Sequence, residues 1–304
     1  METVGTVING VINVYKEKGY TSHDVVARLR GIFRQKKIGH TGTLDPEAEG
    51  VLPVCLGNGT RLCDMLTDRE KEYVAELLLG VVTDTQDMTG AVLAEKEVAV
   101  TNEQAETVIR GFRGTYEQIP PMYSACKVNG KRLYELARQG KEVERKARAV
   151  TIRELEILSM DLPLVRIRVV CSKGTYIRTL CHDIGERLGC GAAMKSLLRT
   201  KSGRFTLDGA RRLAEIEESV KAGRGSELVI PVEEMFAGLP SIVVREDAVR
   251  AVQNGNSLFL RQITGKSGWQ EGEEARVYDR EGRFYGVYDF VVMKGSFKPV
   301  KMFL

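Results

Sequence analysis

A polar loop between two apolar segments is the stretch that most restricts how this chain folds. It spans residues 36–53 and contains the string His40-Thr41-Gly42-Thr43-Leu44-Asp45-Pro46. Glycines at positions 39, 42 and 50 permit backbone angles that other residues resist. Pro46 fixes its own φ and disfavours the α region for Asp45. We therefore expect Asp45 to lie on a stiff, extended loop, with His40 facing the same space.

Asp45 has two possible interpretations. An isolated Asp-Pro pair is typical of a turn in which the aspartate bonds its own backbone. The alternative is that Asp45 has a functional role. The second interpretation is favoured here because the loop is one of several distinctive strings in the same chain.

Three later strings accompany the loop. They are Lys71-Glu72-Tyr73, Gln118-Ile119-Pro120-Pro121-Met122-Tyr123-Ser124-Ala125 and Lys173-Gly174-Thr175-Tyr176-Ile177-Arg178. Together with His40-x-Gly42-Thr43-Leu44-Asp45-Pro46-x-Ala48-x-Gly50, they resemble the signature of the tRNA pseudouridine synthase B family. The resemblance covers most of residues 5–205. A further string at 189–203 is similar to the last motif of the family's catalytic domain.

The resemblance implies a catalytic role for one residue and a supporting role for its neighbours. Asp45 matches the family's nucleophile. Arg178 matches the arginine that pairs with this carboxylate, although an arginine at such a position in an arbitrary chain is usually part of a weak surface ion pair. Tyr176 and Arg178 do not share a helix face, so both reach the site only if it lies at the helix N-terminus.

Three more residues are expected to contact the target uridine. Tyr73 resembles the tyrosine that stacks on the base, where a half-buried strand aromatic is the alternative. Leu197 matches a leucine that borders the uracil, with Leu198 only one position away. His40 is expected to fill or border the gap left by a flipped-out base, and a role as general base is less favoured.

A basic segment at 127–148 resembles the family's thumb loop, which grips RNA. Its alternative is a solvated surface helix. The residues that we expect to contact the RNA backbone are Lys127, Lys131, Arg132, Arg138 and Lys141. Lys16 is included in this set of expected RNA contacts. The family's Asp-Lys-Pro motif stands here as Tyr15-Lys16-Glu17, however, and this difference favours a structural role for Lys16.

The predicted fold class is α+β. A mixed, largely antiparallel sheet of the pseudouridine synthase fold is expected over residues 1–235, with helices and the thumb insertion. Strands are predicted over 5–15, 71–80 and 165–171, and helices over 23–35, from Thr101 to about Phe112, and from Thr175 to about Leu188. The expected caps of these helices are Ser22 or Thr21, a capping box of Thr101 with Gln104, and Thr175. Asp84 and Asp87 are expected to be turn and capping residues. Short strands broken by glycines over 239–304 predict a small β-barrel-like module, related to PUA domains and binding RNA.

Composition excludes several classes of protein. The chain has 304 residues, 43% of them apolar, and contains no run long enough to span a membrane and no signal-peptide pattern. Six cysteines without a Cys-x-x-Cys pair, beside three histidines, predict reduced thiols in the cytoplasm and no metal site. A net charge of +4 permits a polyanionic partner. No cofactor, membrane or protein partner is expected, and the chain is predicted to be a monomer.

The resemblance implies an isomerase that converts uridine at position 55, in the T-arm of tRNA, into pseudouridine. One ionised carboxylate near the ribose is the minimal requirement, acting as a nucleophile or as a base that forms a glycal. A catalytically silent RNA-binding protein is the second hypothesis, and the joint presence of Asp45, Tyr73, Tyr176 and Arg178 is against it. A hydrolase with paired carboxylates is a weaker third hypothesis, because no second acid is indicated.

Overall fold

A mixed sheet, with its strands between Gly10 and Thr206, forms the framework of the N-terminal part of the computed structural model, which describes residues 7–128 and 130–304. Its strands and those of the attached hairpins are β1 (Gly10–Lys16), β2 (Ile38–His40), β3 (Glu49–Leu56), β4 (Lys71–Leu79), β5 (Val81–Thr83), β6 (Val92–Glu95), β7 (Gly114–Gln118), β8 (Lys127–Val128), β9 (Lys131–Arg132), β10 (Arg148–Asp161), β11 (Leu164–Cys171), β12 (Ala192–Ser202) and β13 (Phe205–Thr206). The helices of this part are α1 (Ser22–Phe33), α2 (Cys63–Thr67), α3 (Asn102–Arg110), α4 (Leu133–Ala137), α5 (Ile177–Leu188) and α6 (Leu213–Lys221).

The main sheet has the strand order β1-β3-β12-β4-β11-β10-β7. All neighbours on this path are antiparallel except β3 and β12, which are parallel. The predicted mixed, largely antiparallel sheet is therefore confirmed. β4 alternates between buried and half-buried residues along its length, so that Tyr73, Ala75 and Leu77 point into the core. Apolar residues of α3 and α5 cover this inward face.

Local sequence explains where several helices begin. Thr21 caps α1, and its side chain and that of Asp24 bond each other's backbone amides in a capping box. Thr101 and Gln104 form the predicted capping box at the start of α3. The predicted cap at Thr175 is wrong: α5 begins after Tyr176, and the Thr175 hydroxyl instead donates to the carbonyl oxygen of Ser172 at 2.9 Å.

The C-terminal module is a six-stranded, barrel-like sheet, as the glycine-broken pattern predicts. Its elements are β14 (Ser241–Val244), α7 (Val249–Gln253), β15 (Leu258–Phe259), β16 (Ile263–Gly265), β17 (Glu274–Tyr278), β18 (Phe284–Val291) and β19 (Ser296–Met302). It has its own core around Tyr288 and Phe297. A separate apolar cluster joins it to the main sheet, where Val287 and Phe303 pack with Val51 and Phe205.

Two predicted features extend beyond the described residues. The first strand was predicted from residue 5, and residues 5 and 6 lie outside the part that the structure describes, as does position 129 in the thumb segment. Within the described part, no helix is long and apolar enough to cross a bilayer. All six cysteines carry free thiols.

Candidate active site

The polar loop predicted from sequence connects β2 to β3 and carries Asp45. The backbone amide of Leu44 donates to the hydroxyl of Ser22 at the start of α1, at 2.9 Å, and the Leu44 side chain is buried. The amide of Ala48 donates to the carbonyl oxygen of Asp45 at 3.1 Å. Asp45 therefore lies between two fixed points, on a loop that is tied to α1 on one side and to its own turn on the other.

Lys16 holds the second half of this loop from below. Its side chain is fully buried, and its ammonium donates to the carbonyl oxygens of Pro46 at 3.0 Å and Ala48 at 2.6 Å. Burial lowers the pKa of Lys16 to about 8, while Asp45 and Glu49 act in the opposite direction. A contact between Lys16 and the RNA backbone is incompatible with this burial, so that expectation is corrected; the structural role is the one that fits.

Asp45 forms an ion pair with Arg178. The Arg178 Nε lies 2.9 Å from Oδ2 of Asp45, and Nη2 donates to Oδ1 at 3.3 Å. The Asp45 side chain is 37% exposed, whereas that of Arg178 is 6% exposed. The buried guanidinium thus supports the carboxylate and leaves it partly accessible to solvent.

Three other groups fix Arg178 itself. Nη1 donates to the carbonyl oxygen of Thr85 at 2.9 Å, and Nη2 donates to that of Tyr123 at 2.8 Å. Nη1 also lies 3.5 Å from Oδ2 of Asp87. Because every side of the guanidinium is occupied, it has one orientation, and that orientation presents Nε and Nη2 to Asp45.

Asp87 is a residue whose contribution the sequence did not predict. We expected Asp84 and Asp87 to be turn and capping residues, and Asp84 is one, since it accepts from the amide of Ala91 at 2.8 Å. Asp87 accepts from the amide of Thr89 at 3.0 Å, but its second oxygen faces Arg178. The polar residues around Asp87 in the sequence were the available signal for a role. They could not identify its partner, because Arg178 is distant from Asp87 in sequence.

Gln118 determines how α5 approaches the site. Its side-chain amide accepts from the backbone amide of Tyr176 at 2.8 Å and donates to the carbonyl oxygen of the same residue at 3.0 Å. Tyr176 occupies the position just before α5, and Arg178 is the second residue of the helix. Both residues are therefore at the helix N-terminus, where the sequence required them to be.

Tyr73 and Leu197 belong to the apolar wall next to Asp45. They lie on the neighbouring strands β4 and β12 and pack in one cluster with Leu44. Burial raises the pKa of the Tyr73 hydroxyl above its usual value, with the Arg199 guanidinium acting against it. Tyr73 is thus protonated near neutral pH. Tyr176, which is half-buried, also has a pKa raised by burial.

His40 lies at the end of β2 as a neutral imidazole. Its Nδ1 accepts from the amide of Gly42 at 3.3 Å, and its ring meets that of His23 edge to face, with 5.5 Å between centroids. Burial, followed by His23 and Arg199, lowers the pKa of His40 to about 4. Because the His40 ring is uncharged at neutral pH, it is better suited to border a base than to carry a proton.

The thumb segment projects a set of basic side chains from a small apolar base. Leu133 and Leu136 of α4 are buried, and β8 pairs with β9. Lys127, Lys131, Arg138 and Lys141 are exposed, whereas Arg132 is half-buried and donates to the Tyr134 hydroxyl at 3.0 Å. The other predicted contact residues are therefore free to meet a polyanion. In the described residues, no group of three or more His, Cys, Asp or Glu side chains could hold a metal ion.

The geometry of Asp45 predicts a pH dependence. Burial raises the pKa of the Asp45 carboxyl above its ordinary value near 3.9, while Arg178 opposes this shift. If the ionised form is the reactive one, the rate is full above this raised pKa and falls as the pH drops through it. Single-turnover rates measured as a function of pH give the midpoint, which we expect above the ordinary value of an aspartate carboxyl. The His40→Phe variant shows whether Asp45 or His40 causes this fall in rate. We expect the fall at low pH to persist in the variant, and its loss would assign the fall to His40.

The fold and the site together define the class of pseudouridine synthases. Two solved structures similar to this chain are an H/ACA ribonucleoprotein bound to a substrate RNA containing 2′-deoxyuridine and a Cbf5–Nop10–Gar1 complex. The first has a TM-score of 0.69 at 27% identity and the second 0.70 at 29%, each covering 97% of this chain and 85% of the compared one.

The family follows from sequence comparison. The profile of the TruB family pseudouridylate synthase N-terminal domain matches residues 30–177, and that of the tRNA pseudouridylate synthase B C-terminal domain matches 178–237. The tRNA pseudouridine synthase B of Lachnoclostridium phytofermentans is 54% identical, covering 98% of this chain and 100% of the relative. That of Clostridium tetani is 44% identical, covering 97% and 99%. The chain belongs to the TruB family of pseudouridine synthases, which are isomerases.

Proposed function

We propose that this chain converts uridine 55 in the T-arm of tRNA into pseudouridine, with Asp45 as the reacting group. The carbonyl-anchored ion pair of Asp45 and Arg178, at 2.9 Å, is the observation that carries the proposal. It supplies one ionised, oriented and accessible carboxylate, which is the minimal requirement of the reaction. The curated relatives that bear the name tRNA pseudouridine synthase B support tRNA as the substrate.

The reaction breaks the glycosidic bond, turns the uracil and joins carbon-5 to the ribose carbon. Asp45 either attacks that ribose carbon or removes a ribose proton to form a glycal. In both routes Arg178 holds the carboxylate in its ionised, reactive orientation. In the first route the bond between Asp45 and the ribose carbon breaks as carbon-5 attacks that carbon, and in the second route the proton returns to the ribose as carbon-5 bonds. Carbon-5 then loses its proton and N1 gains one, so the product is an isomer of the substrate and no change of oxidation state occurs.

Access to the uridine requires that it leave the stack, at a cost of a few kcal/mol. Tyr73 and Leu197 form the wall against which the flipped base lies, and Tyr176 closes the side next to α5. The neutral His40 borders the gap in the RNA. Exclusion of water by this apolar wall keeps the detached uracil in the site.

Binding of the tRNA involves two further regions. The exposed cations of the thumb segment contact phosphates, and the C-terminal module, residues 239–304, binds the acceptor side. The chain acts in the cytoplasm as a monomer, without a cofactor or protein partner. The complex named Cbf5–Nop10–Gar1 includes two more proteins, and that composition is a property of the relative.

Removing the thumb cations should weaken binding without impairing chemistry. We expect the variant with Lys127, Lys131, Arg138 and Lys141 replaced by Ala to have a higher KM and a nearly unchanged kcat. The slope of log Kd against log salt should fall by about 3, at roughly 0.7–0.9 per lost phosphate contact. A matched control removes four exposed basic residues elsewhere, Arg28, Lys96, Arg110 and Lys221. An equal loss in both variants would reduce the thumb effect to net charge.

Tritium release tests the activity itself. The wild-type protein is incubated with unmodified tRNA that carries tritium on carbon-5 of its uridines. We expect one equivalent of tritium in water per tRNA, because carbon-5 becomes the glycosidic carbon. Tight tRNA binding without release would support the silent RNA-binding alternative, and free uracil with an abasic site would support a hydrolase.

A further inference from the structure

Arg199 is a buried cation that takes no part in the reaction proposed above. It lies in the middle of the main sheet on β12 and is 1% exposed, among the largest fully buried side chains of the chain. Among the described residues, no carboxylate lies within ion-pair distance of it, unlike Arg178 or Arg168. A buried charge without a counter-ion is unfavourable, so its presence beside the site calls for a specific role.

Its hydrogen bonds lie on either side of the catalytic aspartate. Arg199 Nε donates to the carbonyl oxygen of Val51 at 2.7 Å, and Nη2 donates to that of Gly42 at 3.2 Å. Gly42 precedes Asp45 on the loop, and Val51 follows it on β3. Lys16 bonds Pro46 and Ala48, so the two cations hold different parts of the same loop.

The backbone of Arg199 approaches the same loop closely. It pairs with Gly50 between β12 and β3, and a Cβ atom added at Gly50 would lie 2.2 Å from the Arg199 carbonyl oxygen. The main chain and the guanidinium of one residue therefore contact the loop from two directions. Movement of Arg199 would displace the end of the Asp45 loop.

Arg199 also faces Tyr73. The two residues are directly opposite in the antiparallel pairing of β12 with β4, and both are buried. Side chains of opposite residues point to the same face, with Cβ atoms about 4.5–5.5 Å apart. The groups that influence the Tyr73 hydroxyl are Arg199 from β12, Cys171 from β11 and Asp45 from the loop. Of these, only Arg199 is positively charged.

We propose that Arg199 is a positioning residue that fixes both ends of the Asp45 loop and electrostatically tunes the hydroxyl of Tyr73. It does so without contacting the substrate, and its role rests on the function proposed above. Its positive charge acts on the phenol, and its planar fork of donors acts on the loop. A guanidinium supplies both at once, whereas an ammonium supplies the charge without the fork.

Two substitutions separate these tasks. Arg199→Lys keeps the charge and loses the pair of carbonyl contacts, whereas Arg199→Gln loses the charge. We expect both to reduce kcat by about 100-fold, since misplacement of a reacting group by about 1 Å has this effect, with KM for tRNA changed less than threefold. The control is Arg168→Gln, which removes the ion pairs of this β11 residue with three glutamates on β4 and β10 and should leave kcat near wild type.

Titration of Tyr73 gives a readout independent of activity. With 3-fluorotyrosine at position 73, fluorine resonance reports its ionisation in the free protein. We expect the midpoint to rise by at least about one pH unit in Arg199→Gln and to stay near wild type in Arg199→Lys, because an adjacent opposite charge favours the phenolate. An unchanged midpoint in Arg199→Gln, or wild-type kcat in Arg199→Lys, would overturn the proposal. If Arg199→Gln does not fold, the kcat of Arg199→Lys decides. Failure of the wild type to form pseudouridine would instead reject the proposed function, and the titration would still stand.

Discussion

The Asp45→Asn variant is expected to bind tRNA with wild-type affinity and to form no detectable pseudouridine. Asparagine has nearly the same size and shape, so the loop contacts of Leu44 and Ala48 remain. The amide can neither attack the ribose nor accept a proton. We expect the single-turnover rate to fall by about 10⁴-fold or more, as when a nucleophile is removed from other enzymes.

The control for this experiment is Asp161→Asn. Asp161 is an exposed aspartate at the end of β10, so the same chemical change there should leave the rate unaltered. Tight binding by Asp45→Asn also separates loss of chemistry from loss of fold. If Asp45→Asn retained activity above a few per cent of wild type, another group would have to start the reaction.

Replacement of Arg178 by Met is expected to reduce both stability and activity. It leaves Asp87 buried without its cation, and it leaves the carbonyl oxygens of Thr85 and Tyr123 without their donor. Breaking a buried ion pair from one side costs about 3–5 kcal/mol, and we expect the lower end because Asp45 remains partly exposed. The rate should fall by about 10³-fold, because the carboxylate loses its fixed orientation.

Two further variants help to interpret the result for Arg178→Met. Arg178→Lys restores a charge but cannot contact two carboxylates and two carbonyl groups, so it should recover stability more than activity. Arg187→Met, on an exposed turn of the same helix, should change neither by much. Denaturant unfolding and single-turnover rates measure the two effects. Wild-type stability and rate in Arg178→Met would show that the ion pair is incidental.

The sequence predicted the parts of the site that depend on local chemistry. Gly42 and Pro46 constrain the Asp45 loop through their own backbone preferences. The capping box at Thr101 bonds within four residues, and Thr21, one of the two caps expected for α1, bonds in the same way. The family resemblance assigned Tyr176 and Arg178 to the site, and helix geometry then required the site to lie at a helix N-terminus. These features need no knowledge of distant contacts, and the structure has them where they were predicted.

The parts that were missed depend on pairing between distant segments. Asp87 meets Arg178 only because the turn that follows β5 lies against the start of α5, and Arg199 meets Tyr73 only through the register of β12 with β4. β12 itself, Ala192–Ser202, is poor in β-branched residues, and its strand conformation follows from its two neighbouring strands. The sequence also did not predict the burial of Lys16, because a lysine next to a turn usually faces solvent.

We propose above that Asp45 isomerises one uridine of the T-arm. The most direct test maps pseudouridine by mass spectrometry in unmodified tRNA after incubation with wild-type protein or with Asp45→Asn. We expect stoichiometric pseudouridine at position 55 with the wild type, none elsewhere, and none at all with the variant. Pseudouridine at another position would contradict the proposed specificity, and formation at position 55 by Asp45→Asn would contradict the mechanism.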